Sequence, residues 1–405
     1  NIGIAICEDL WDVYNDFEYP NSPGQALKDL GADLIINPSA SPFHLGKQSL
    51  RNRVFGGQAA RFDLPVLYVN QVGVHTELLF DGSSRAVNGN GEVVIQAPSF
   101  EEAVVYADFA NGKFSVGNSV PLDTDDTAQL YKALVFGIKD YFSKMGFTHA
   151  LLGSSGGIDS AVVQALASAA LGGENVHPVL MPSMFSSDHS VNDAETLSKN
   201  LGNETITLPI KNIYDQYLET LQPVFAGKAF NLAEENLQAR SRAVLLMAIS
   251  NKMGYILLNT SNKSELSVGY STLYGDLCGA LSVIGDVYKN QVYALARYIN
   301  RNSEIIPNNI IVKAPSAELR PGQKDSDSLP EYDVLDELLK HYIEERKGVE
   351  ELITMGYETA VVNKVVALVN GSEYKRYQAP PILRVSAKAF GKGRIMPLVA
   401  KYISR

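Results

Sequence analysis

The side chains of this sequence most suited to chemistry lie in a short glycine- and serine-rich stretch. It reads SSGGIDS over residues 154–160 and lies between the apolar run ALL and a second apolar run. A loop that joins a strand to a helix presents backbone N–H groups at the positive end of the helix, where anions bind. Gly156 and Gly157 let the backbone approach an anion closely. Further hydroxyl donors are Ser154, Ser155 and Ser160. The pattern predicts a phosphate site.

Asp159 lies inside this loop, although a carboxylate repels a phosphate. A cation between the two groups removes the conflict, and we therefore expect Asp159 to bind Mg²⁺. Two common phosphate motifs do not fit. Walker A needs a Gly-Lys-Ser/Thr ending, which is absent from the stretch, and so is the G-x-G-x-x-G spacing of dinucleotide sites. A serine-rich cap that only begins a helix remains an alternative.

The segment SGGIDS resembles the signature loop of the N-type ATP pyrophosphatases, which cleave ATP between its α and β phosphates. This group includes GMP synthetase, asparagine synthetase, tRNA-modifying enzymes and NAD synthetase. The resemblance implies that ATP is a substrate and that Mg²⁺ is required. It leaves the acceptor of the AMP group open, because all members share the loop.

Three further stretches resemble the NAD synthetase family. The first, ENLQARSRAVLLMAISN over residues 235–251, crowds polar groups at the start of a helix. The resemblance implies that Asn236 and Arg240 contact the substrate deamido-NAD. A solvated helix end is the alternative. Arg240 and Arg242 are two residues apart and do not share a helix face, so one of them can be purely structural.

The second stretch, LLNTSNKSELSVGYSTLYGD over residues 257–276, resembles the part of the family that completes the site. The resemblance implies that Thr260 contacts ATP, that Glu265 binds Mg²⁺ and that Asp276 meets the nicotinate end of deamido-NAD. Asp159 and Glu265 come from different loops, as a Mg²⁺ clamp on polyphosphate requires. Downstream, Lys289 resembles the family's catalytic cation that holds substrate or phosphate.

The third stretch, residues 313–336, resembles a mobile loop that closes over the site. The resemblance places Ser316 at ATP and Asp325 near the ligands. Lys375 and Arg376 match a late basic pair that contacts deamido-NAD. A solvated charged tail is an alternative that fits only the KDSDS part of the loop.

Cys7 directly follows a strand-like alternation and precedes a turn, a position that can expose a nucleophile. A small buried cysteine is the alternative. The segments CEDLW, NPSASPF and LPVLYVNQVG resemble the glutamine amidotransferase domain of the nitrilase family. The resemblance implies that the Cys7 thiolate attacks the glutamine amide and releases ammonia.

The nitrilase family activates its cysteine with a glutamate and a lysine that lie upstream. Only six residues precede Cys7, and Val74, His75 and Thr76 depart from the family pattern. The ammonia-producing half is therefore either incomplete here or inactive. We expect a fragment, because a strand without its neighbours exposes apolar surface.

Length and composition bound the remaining possibilities. A chain of 405 residues favours two domains. The net charge of -10 and the pI near 5.2 disfavour nucleic acid as a partner. Two cysteines make no disulfide framework, which favours a cytoplasmic location. The sequence shows neither a bilayer-spanning apolar run nor a signal peptide.

The pattern of elements predicts an α/β protein. We expect a partial nitrilase-like α/β sandwich over residues 1–110, a linker over 111–127 and a doubly wound parallel-sheet ATP pyrophosphatase domain, like the adenine nucleotide alpha hydrolases, over 128–405. Alternating strands and helices in the last part, with a helix from about Ile158 to Leu171 after the loop, support this order.

The resemblances together imply a ligase that amidates deamido-NAD to NAD⁺ through an acyl adenylate, with AMP and pyrophosphate as further products. Ammonia comes from glutamine at Cys7 or is supplied directly. We expect a homo-oligomer assembled through the synthetase domain. Two alternatives stay open: another SGGIDS-type ATP pyrophosphatase that amidates or thiolates a different acceptor, and a non-catalytic nucleotide-binding module.

Overall fold

The structure is a computed structural model that describes residues 1–12, 21–117, 119–121 and 123–399. It divides into two compact units, Asn1–Ala133 and Leu134–Arg405. Residues 118 and 122 of the predicted linker and residues 400–405 of the predicted second domain lie outside the described residues. None of the described helices is long and apolar enough to cross a membrane.

The first unit is built on a mixed sheet. Its strands are β1 (Ile2–Ile4), β2 (Leu34–Ser39), β3 (Val66–Asn70), β4 (Val72–His75), β5 (Leu78–Asp81), β6 (Arg85–Val87), β7 (Val93–Gln96), β8 (Phe109–Ala110) and β9 (Lys113–Phe114). The helices that begin in it are α1 (Pro23–Asp29), α2 (Lys47–Phe62) and α3 (Asp126–Met145). Among the described residues the sheet order is β1-β2-β3-β6-β7, with β4–β5 and β8–β9 as separate pairs.

The strand pairing follows from the connections. Strands β1, β2 and β3 are parallel and are joined through helices, whereas β6 and β7 are antiparallel. The turn between β6 and β7 contains Gly91 at φ 85° and closes with a hydrogen bond from Asn88 N to Glu92 O. The Asn-Gly steps at residues 88–91 are typical of such tight hairpin turns, because they supply the positive φ that the turn needs.

The predicted linker is partly structured. The short pair β8–β9 reaches Phe114, and α3 already begins at Asp126. Both lie within or at the ends of the range 111–127, where the polar, turn-rich composition alone indicates loop. Composition does not show such short pairs, because a two-residue strand carries no hydrophobic periodicity.

The second unit carries a parallel sheet with helices on it. Its strands are β10 (Ala150–Gly153), β11 (Val176–Leu180), β12 (Ile206–Thr207), β13 (Ile256–Asn259) and β14 (Leu281–Ser282). Its helices are α4 (Ile158–Leu171), α5 (Asp188–Leu201), α6 (Lys211–Phe225), α7 (Leu232–Met253), α8 (Lys263–Val268), α9 (Lys289–Ile299), α10 (Asn308–Val312), α11 (Tyr332–Ile343), α12 (Val349–Thr354), α13 (Thr359–Gly371) and α14 (Glu373–Arg376).

The sheet order in the described part of this unit is β12-β11-β10-β13-β14, and every neighbouring pair is parallel. Strand β10 lies at the centre. After β10 the chain adds β11 and β12 on one side of it, and then reverses to add β13 and β14 on the other side. Such a reversal opens a crevice at the carboxyl ends of the strands, where ligands bind in open α/β sheets. The predicted parallel-sheet fold is confirmed.

Helix α4 matches its predicted bounds, Ile158 to Leu171. Its residues are mostly small and apolar and are buried along most of its length, because the helix packs on the central strand. Gly172 at φ 90° ends the helix. An apolar core joins α8, α11, α12 and α13; its fully buried members include Leu335, Leu339 and Val365.

Candidate active site

The phosphate loop joins β10, which ends at Gly153, to α4, which begins at Ile158. Gly156 has φ 75°, a conformation that favours glycine. A Cβ atom at this position would lie 2.2 Å from the carbonyl oxygen of Ser190. The loop can therefore adopt this path only with glycine at residue 156, which packs it against the first turn of α5.

Hydroxyl groups fix the loop from within. Ser160 Oγ donates to Gly157 O at 3.0 Å and accepts from Ser155 N at 3.3 Å, and Ser155 Oγ accepts from Gly157 N at 3.2 Å. The Ser154 hydroxyl instead donates to Gln164 in α4 at 2.9 Å and is buried. The loop is thus held in shape in the absence of a ligand, although the hydrogen bond to Gly157 N has to yield if that amide binds phosphate.

The two predicted Mg²⁺ ligands, Asp159 and Glu265, both pair with the ammonium of Lys289. Lys289 Nζ lies 2.5 Å from Asp159 Oδ2 and 3.3 Å from Glu265 Oε1. Asn262 caps α8 by accepting from Glu265 N at 2.9 Å, and its amide donates to Asp159 Oδ1 at 2.8 Å. Asn262 therefore fixes both carboxylates, which come from α4 and α8.

The electrostatics of this cluster leave it short of positive charge. Burial, and then the neighbouring Asp159, raises the pKa of Glu265 to about 8. Burial alone would lower the pKa of Lys289, but Asp159 and Glu265 outweigh it and raise that pKa. One ammonium therefore serves two carboxylates, and the donor set fits a divalent cation, which prefers carboxylate oxygens.

A third carboxylate lies near this cluster. Asp325, only 6% exposed, accepts a hydrogen bond from the Tyr332 hydroxyl at 2.9 Å through Oδ2. Its Oδ1 atom is buried and has no hydrogen-bond partner among the described residues. Burial raises the pKa of Asp325. The residue begins the 3-10 turn Asp325–Asp327, in the stretch that the sequence predicts to close over the site.

A cavity of about 290 Å³ joins these groups. Eleven of the predicted site residues line it: Ser154, Ser155, Gly156, Gly157, Asp159, Ser160, Thr260, Glu265, Asp276, Lys289 and Ser316. They come from the carboxyl ends of β10 and β13, the starts of α4, α8 and α9, and the segment after α10. Parallel strands bring their carboxyl ends to one edge, so residues more than 150 positions apart meet there.

Four predicted deamido-NAD contacts are not among the lining residues. Asn236 accepts from Thr272 at 2.8 Å, and Arg240 donates to Leu273 O at 3.2 Å. Both therefore stabilise the 270–276 segment that carries Asp276. Lys375 donates to Gly269 O and Ser271 O, at 2.7 Å each.

Arg376 is the clearest departure from the prediction. Its guanidinium is buried, pairs with Glu373 at 2.8 Å and donates to the carbonyl oxygens of Leu266, Ser267 and Val369. Its donors are occupied by the protein, and the structure does not bring it to the cavity.

The cavity also contains charged residues to which sequence reasoning gave no role: Arg242, Lys313 and Glu318. Glu318 accepts from Ser190 Oγ at 2.9 Å and pairs with Lys313 at 2.5 Å. Because Ser190 also packs on Gly156, this pair stands next to the phosphate loop. The spacing of Arg240 and Arg242 was the only sequence signal that two arginines here face different ways.

In the first unit, Cys7 lies at the turn after β1. It has φ 48° and begins the 3-10 turn Cys7–Leu10. A non-glycine residue in this region costs about 1–2 kcal/mol. Asn37 of β2 donates to Ala5 O at 2.7 Å and to Cys7 O at 3.2 Å, which holds the turn. The thiol is half-buried and forms no disulfide, so its exposure lies between the two expectations, an exposed nucleophile and a buried cysteine.

Lys47, which sequence reasoning did not identify, lies near Cys7. Burial, with a further effect of Arg51, lowers the pKa of Lys47 to about 8, while Cys7 and Glu8 act in the opposite direction. Its ammonium is 4.1 Å from the centre of the Trp11 ring. Forty residues separate Lys47 from Cys7 in sequence, so no local spacing signals this arrangement.

A buried ion pair supports the helix that carries Lys47. Arg51 Nη1 and Asp81 Oδ1 are 2.7 Å apart and both side chains are fully buried. Gln48 donates to Asp81 and to Ser83, and Arg85 donates to Gln48. The network joins α2 to β5 and β6 beneath the Lys47 position.

The segment that departs from the nitrilase pattern forms a hairpin. Val74 and His75 end β4, which pairs with β5, and Thr76 takes φ 57° in the turn between them. The positive φ at Thr76 belongs to this turn. The described contacts include none between Cys7 and any of these three residues.

In the second unit the phosphate loop follows the central strand, and two carboxylates and a lysine lie next to it. This arrangement is that of the nucleotide-binding part of an α/β enzyme. Sequence profiles identify which kind: the profile "NAD synthase" matches residues 130–379, and the profile "Carbon-nitrogen hydrolase" matches residues 1–113. The chain belongs to the NAD synthase family, with a carbon–nitrogen hydrolase domain at its start. Both resemblances found in the sequence are confirmed.

Relatives agree over nearly the whole chain. A glutamine-dependent NAD(+) synthetase from Synechocystis sp. is 49% identical to the chain. The similarity extends over 99% of this chain and 73% of the relative. The chain is similar to the solved structure of glutamine-dependent NAD⁺ synthetase from Acinetobacter baumannii in complex with ADP, with 39% identity, a TM-score of 0.74, and coverage of 98% and 72% of the two chains.

A third likeness concerns mainly the second unit. An NH3-dependent NAD synthetase from Campylobacter jejuni is 29% identical with a TM-score of 0.51, covering 64% of this chain and 100% of that one. These relatives favour NAD synthesis over the two alternatives, another acceptor and a non-catalytic module.

Proposed function

We propose that this chain carries out the final step of NAD biosynthesis, the ATP-dependent amidation of deamido-NAD, with ammonia obtained from glutamine. The observation that carries the proposal is the single cavity that joins the phosphate loop, the Asp159–Glu265 pair and Lys289. Relatives that share the chain nearly end to end bear the name of this activity.

The first step activates the nicotinate carboxylate. One of its oxygens attacks the α-phosphorus of ATP, the bond to the pyrophosphate oxygen breaks, and the acyl adenylate forms. The loop amides after β10 face the leaving pyrophosphate at the N-terminus of α4. Lys289 adds a fixed positive charge where negative charge develops on the leaving group.

Asp159 and Glu265 would hold the Mg²⁺ that accompanies ATP. When bound, this ion neutralises phosphate charge and orients the polyphosphate. With the two carboxylates engaged in this way, the Lys289 ammonium that pairs with them would be free to donate to a phosphate oxygen of ATP. Burial raises the pKa of Glu265, and a bound cation would favour its charged form.

The second step forms the amide. Ammonia attacks the carbonyl carbon of the acyl adenylate, loses a proton, and AMP leaves with the bridging oxygen. Asp276, which lines the cavity, is the proposed contact at the nicotinate end. Asn236, Arg240 and Lys375 would support this end through the backbone they hold.

The ammonia would come from glutamine, which is hydrolysed at Cys7. Its thiolate attacks the side-chain amide of glutamine, a thioester forms, and ammonia departs after gaining a proton; water then releases glutamate. Lys47, near the thiol, offers positive charge that favours the thiolate or an anionic group of glutamine. Cys7 and Cys278 are both free thiols, a state that the reducing cytoplasm maintains, and we propose the cytoplasm as the location of this protein.

We also propose a homo-oligomer assembled through α6 and α7. These helices pack together and expose large apolar side chains: Ile213, Tyr217, Val224, Leu232, Val244, Met247 and Met253. Exposed apolar side chains on two helices that pack together fit an interface with a second copy of the chain. We expect Val244→Glu to lower the mass in analytical ultracentrifugation. Val312→Glu, at a similarly exposed valine on α10, should leave the mass unchanged; equal masses for all three proteins would refute this interface.

The activity is tested by incubating the chain with deamido-NAD, ATP and Mg²⁺, and measuring NAD⁺ and AMP with ammonium or with glutamine as donor. We expect equal amounts of NAD⁺ and AMP with ammonium. A folded sample that binds ATP and yields no NAD⁺ with either donor would refute the proposal and favour a different acceptor.

A further inference from the structure

The charged residues of the cavity are unequally paired. Those that line it are Asp159, Arg242, Glu265, Asp276, Lys289, Lys313, Glu318 and Asp325. Of the three cations, Lys289 pairs with Asp159 and Glu265, and Lys313 pairs with Glu318. No carboxylate of the described residues lies within 4.0 Å of the Arg242 guanidinium. Arg242 is thus the unpaired cation of this cavity.

The backbone tethers Arg242 close to the phosphate loop. Its Nε donates to Met181 O at 3.1 Å, directly after β11. In the neighbouring register, Val179 of β11 pairs with Gly153, the last residue before the loop. The guanidinium is therefore held at the carboxyl edge of the two central strands, where the loop begins.

The two Nη groups of Arg242 have no hydrogen bond to the described residues, while the side chain is partly buried at the cavity wall. Burial lowers the pKa of Arg242 to about 10, so the group stays charged at neutral pH. Glu318 and Asp276 favour the charge from a longer distance and offset only part of the effect of burial. A partly desolvated charge that makes no direct ion pair remains costly unless a ligand supplies a close anion. A guanidinium matches the geometry of phosphate, to which it donates two parallel hydrogen bonds.

We propose that Arg242 binds a phosphate group of a substrate through its Nη atoms. The inference deepens the proposed function and rests on it, because ATP and deamido-NAD both carry phosphates that must enter this cavity. A purely structural arginine would have its donors occupied by the protein, as Arg376 has. In Arg242 only Nε donates to an acceptor among the described residues, and the residue lines the cavity that must admit polyanions.

The test measures affinity rather than turnover. Binding of MgATP and of deamido-NAD to the full chain is followed by calorimetry for the wild type, Arg242→Met and Arg242→Lys. We expect Arg242→Met to raise the Kd of one substrate about 10- to 100-fold, the range for loss of charge-assisted hydrogen bonds. The substrate affected identifies the source of the phosphate. Arg242→Lys should recover part of the loss, since it keeps the charge without the fork.

Arg301→Met is the control, because Arg301 is exposed and lies outside the cavity wall. Unchanged Kd values for both substrates in Arg242→Met would overturn the proposal. So would equal weakening of both substrates with a lowered melting temperature in both Arg242 variants, which indicates a structural role. If Arg242→Met does not fold, a Kd in the folded Arg242→Lys variant equal to that of the wild type for both substrates overturns it.

The outcome is separable from that of the proposed function. A wild type that binds both substrates and forms no NAD⁺ with ammonium would refute the proposed reaction, while the binding data would still decide the role of Arg242.

Discussion

The two units build their reactive sites in different ways. In the second unit, the phosphate loop, Asp159, Glu265 and Lys289 come from separate elements whose ends meet at one edge of a parallel sheet. In the first unit, the proposed nucleophile Cys7 stands on one strained turn, above a buried network that centres on Arg51 and Asp81. The first arrangement depends on topology; the second depends on a local bend and on the packing beneath it.

This difference determines what a substitution should do. Changes in the charged cluster of the second unit should alter chemistry while the fold persists, since the cluster faces a cavity. Changes in the buried network of the first unit should alter stability, since each partner left behind is a charge without compensation.

Lys289→Met should have the largest effect on activity. Its loss removes the positive charge at the leaving pyrophosphate, and we expect the ammonium-supported rate of NAD⁺ formation to fall about 10³-fold. The measurement is NAD⁺ formed per minute at saturating substrates. Lys313→Met, which removes a cavity lysine paired with Glu318 instead, is the comparison and should lose less; equal losses would contradict a special role for Lys289.

Asp81→Asn should destabilise the first unit by about 3–5 kcal/mol, because it leaves Arg51 buried and unpaired. Urea unfolding followed by circular dichroism measures this effect. Asp29→Asn alters an exposed carboxylate on α1 that accepts a hydrogen bond from Gln25, and it should cost under about 0.5 kcal/mol. A loss below 1 kcal/mol in Asp81→Asn would show that the network contributes little to stability.

Gly156→Ala should weaken ATP binding about tenfold or more. Its Cβ would lie 2.2 Å from Ser190 O, so the loop or α5 must shift. Gly202→Ala is a matched control: Gly202 has φ 70° and no atom within 4 Å of the added Cβ, so it carries the backbone cost without the contact. The Kd of MgATP decides, and equal values for the two variants would refute the contact as the cause.

The two cysteines should differ in alkylation at pH 8. Burial raises the pKa of Cys278 to about 11, so its thiolate is scarce at this pH and should increase about tenfold per pH unit up to that value. Cys7 is half-buried between the exposed residues Ile6 and Glu8 and lies near the Lys47 ammonium, which favours a thiolate, so it should be labelled about tenfold faster. Mass spectrometry of the Cys7→Ser and Cys278→Ser variants measures both rates; faster labelling of Cys278 would contradict the assignment of Cys7 as the reactive thiol.

Much of the second unit can be predicted from sequence because its signals are local. The loop and the full extent of α4 follow from glycine positions and apolar runs, and β10, β11 and β13 follow from theirs. Parallel topology then brings Glu265 and Lys289 to the loop. The helical core formed by α8 with α11 to α13 was not predicted, since its contacts join residues about a hundred positions apart.

The choice between Arg240 and Arg242 shows the limit of such reasoning. Family resemblance selects Arg240, whereas the structure places Arg242 at the cavity wall and Arg240 on Leu273 O. Two residues along a helix turn a side chain by about 200°. Only the packing of α7 on the sheet decides which arginine faces the ligand. Lys47 is a similar case, since the turn of Cys7 and the start of α2 meet only in the folded unit.

Oxygen transfer tests the central claim, that this cavity joins the nicotinate carboxylate to the α-phosphorus of ATP. Deamido-NAD labelled with ¹⁸O at both carboxylate oxygens is converted with ATP and ammonium, and the AMP and pyrophosphate are examined by mass spectrometry. Our account predicts one ¹⁸O atom in each AMP and none in pyrophosphate. Unlabelled AMP, or label in pyrophosphate, would contradict attack at the α-phosphorus and with it the proposed acyl adenylate.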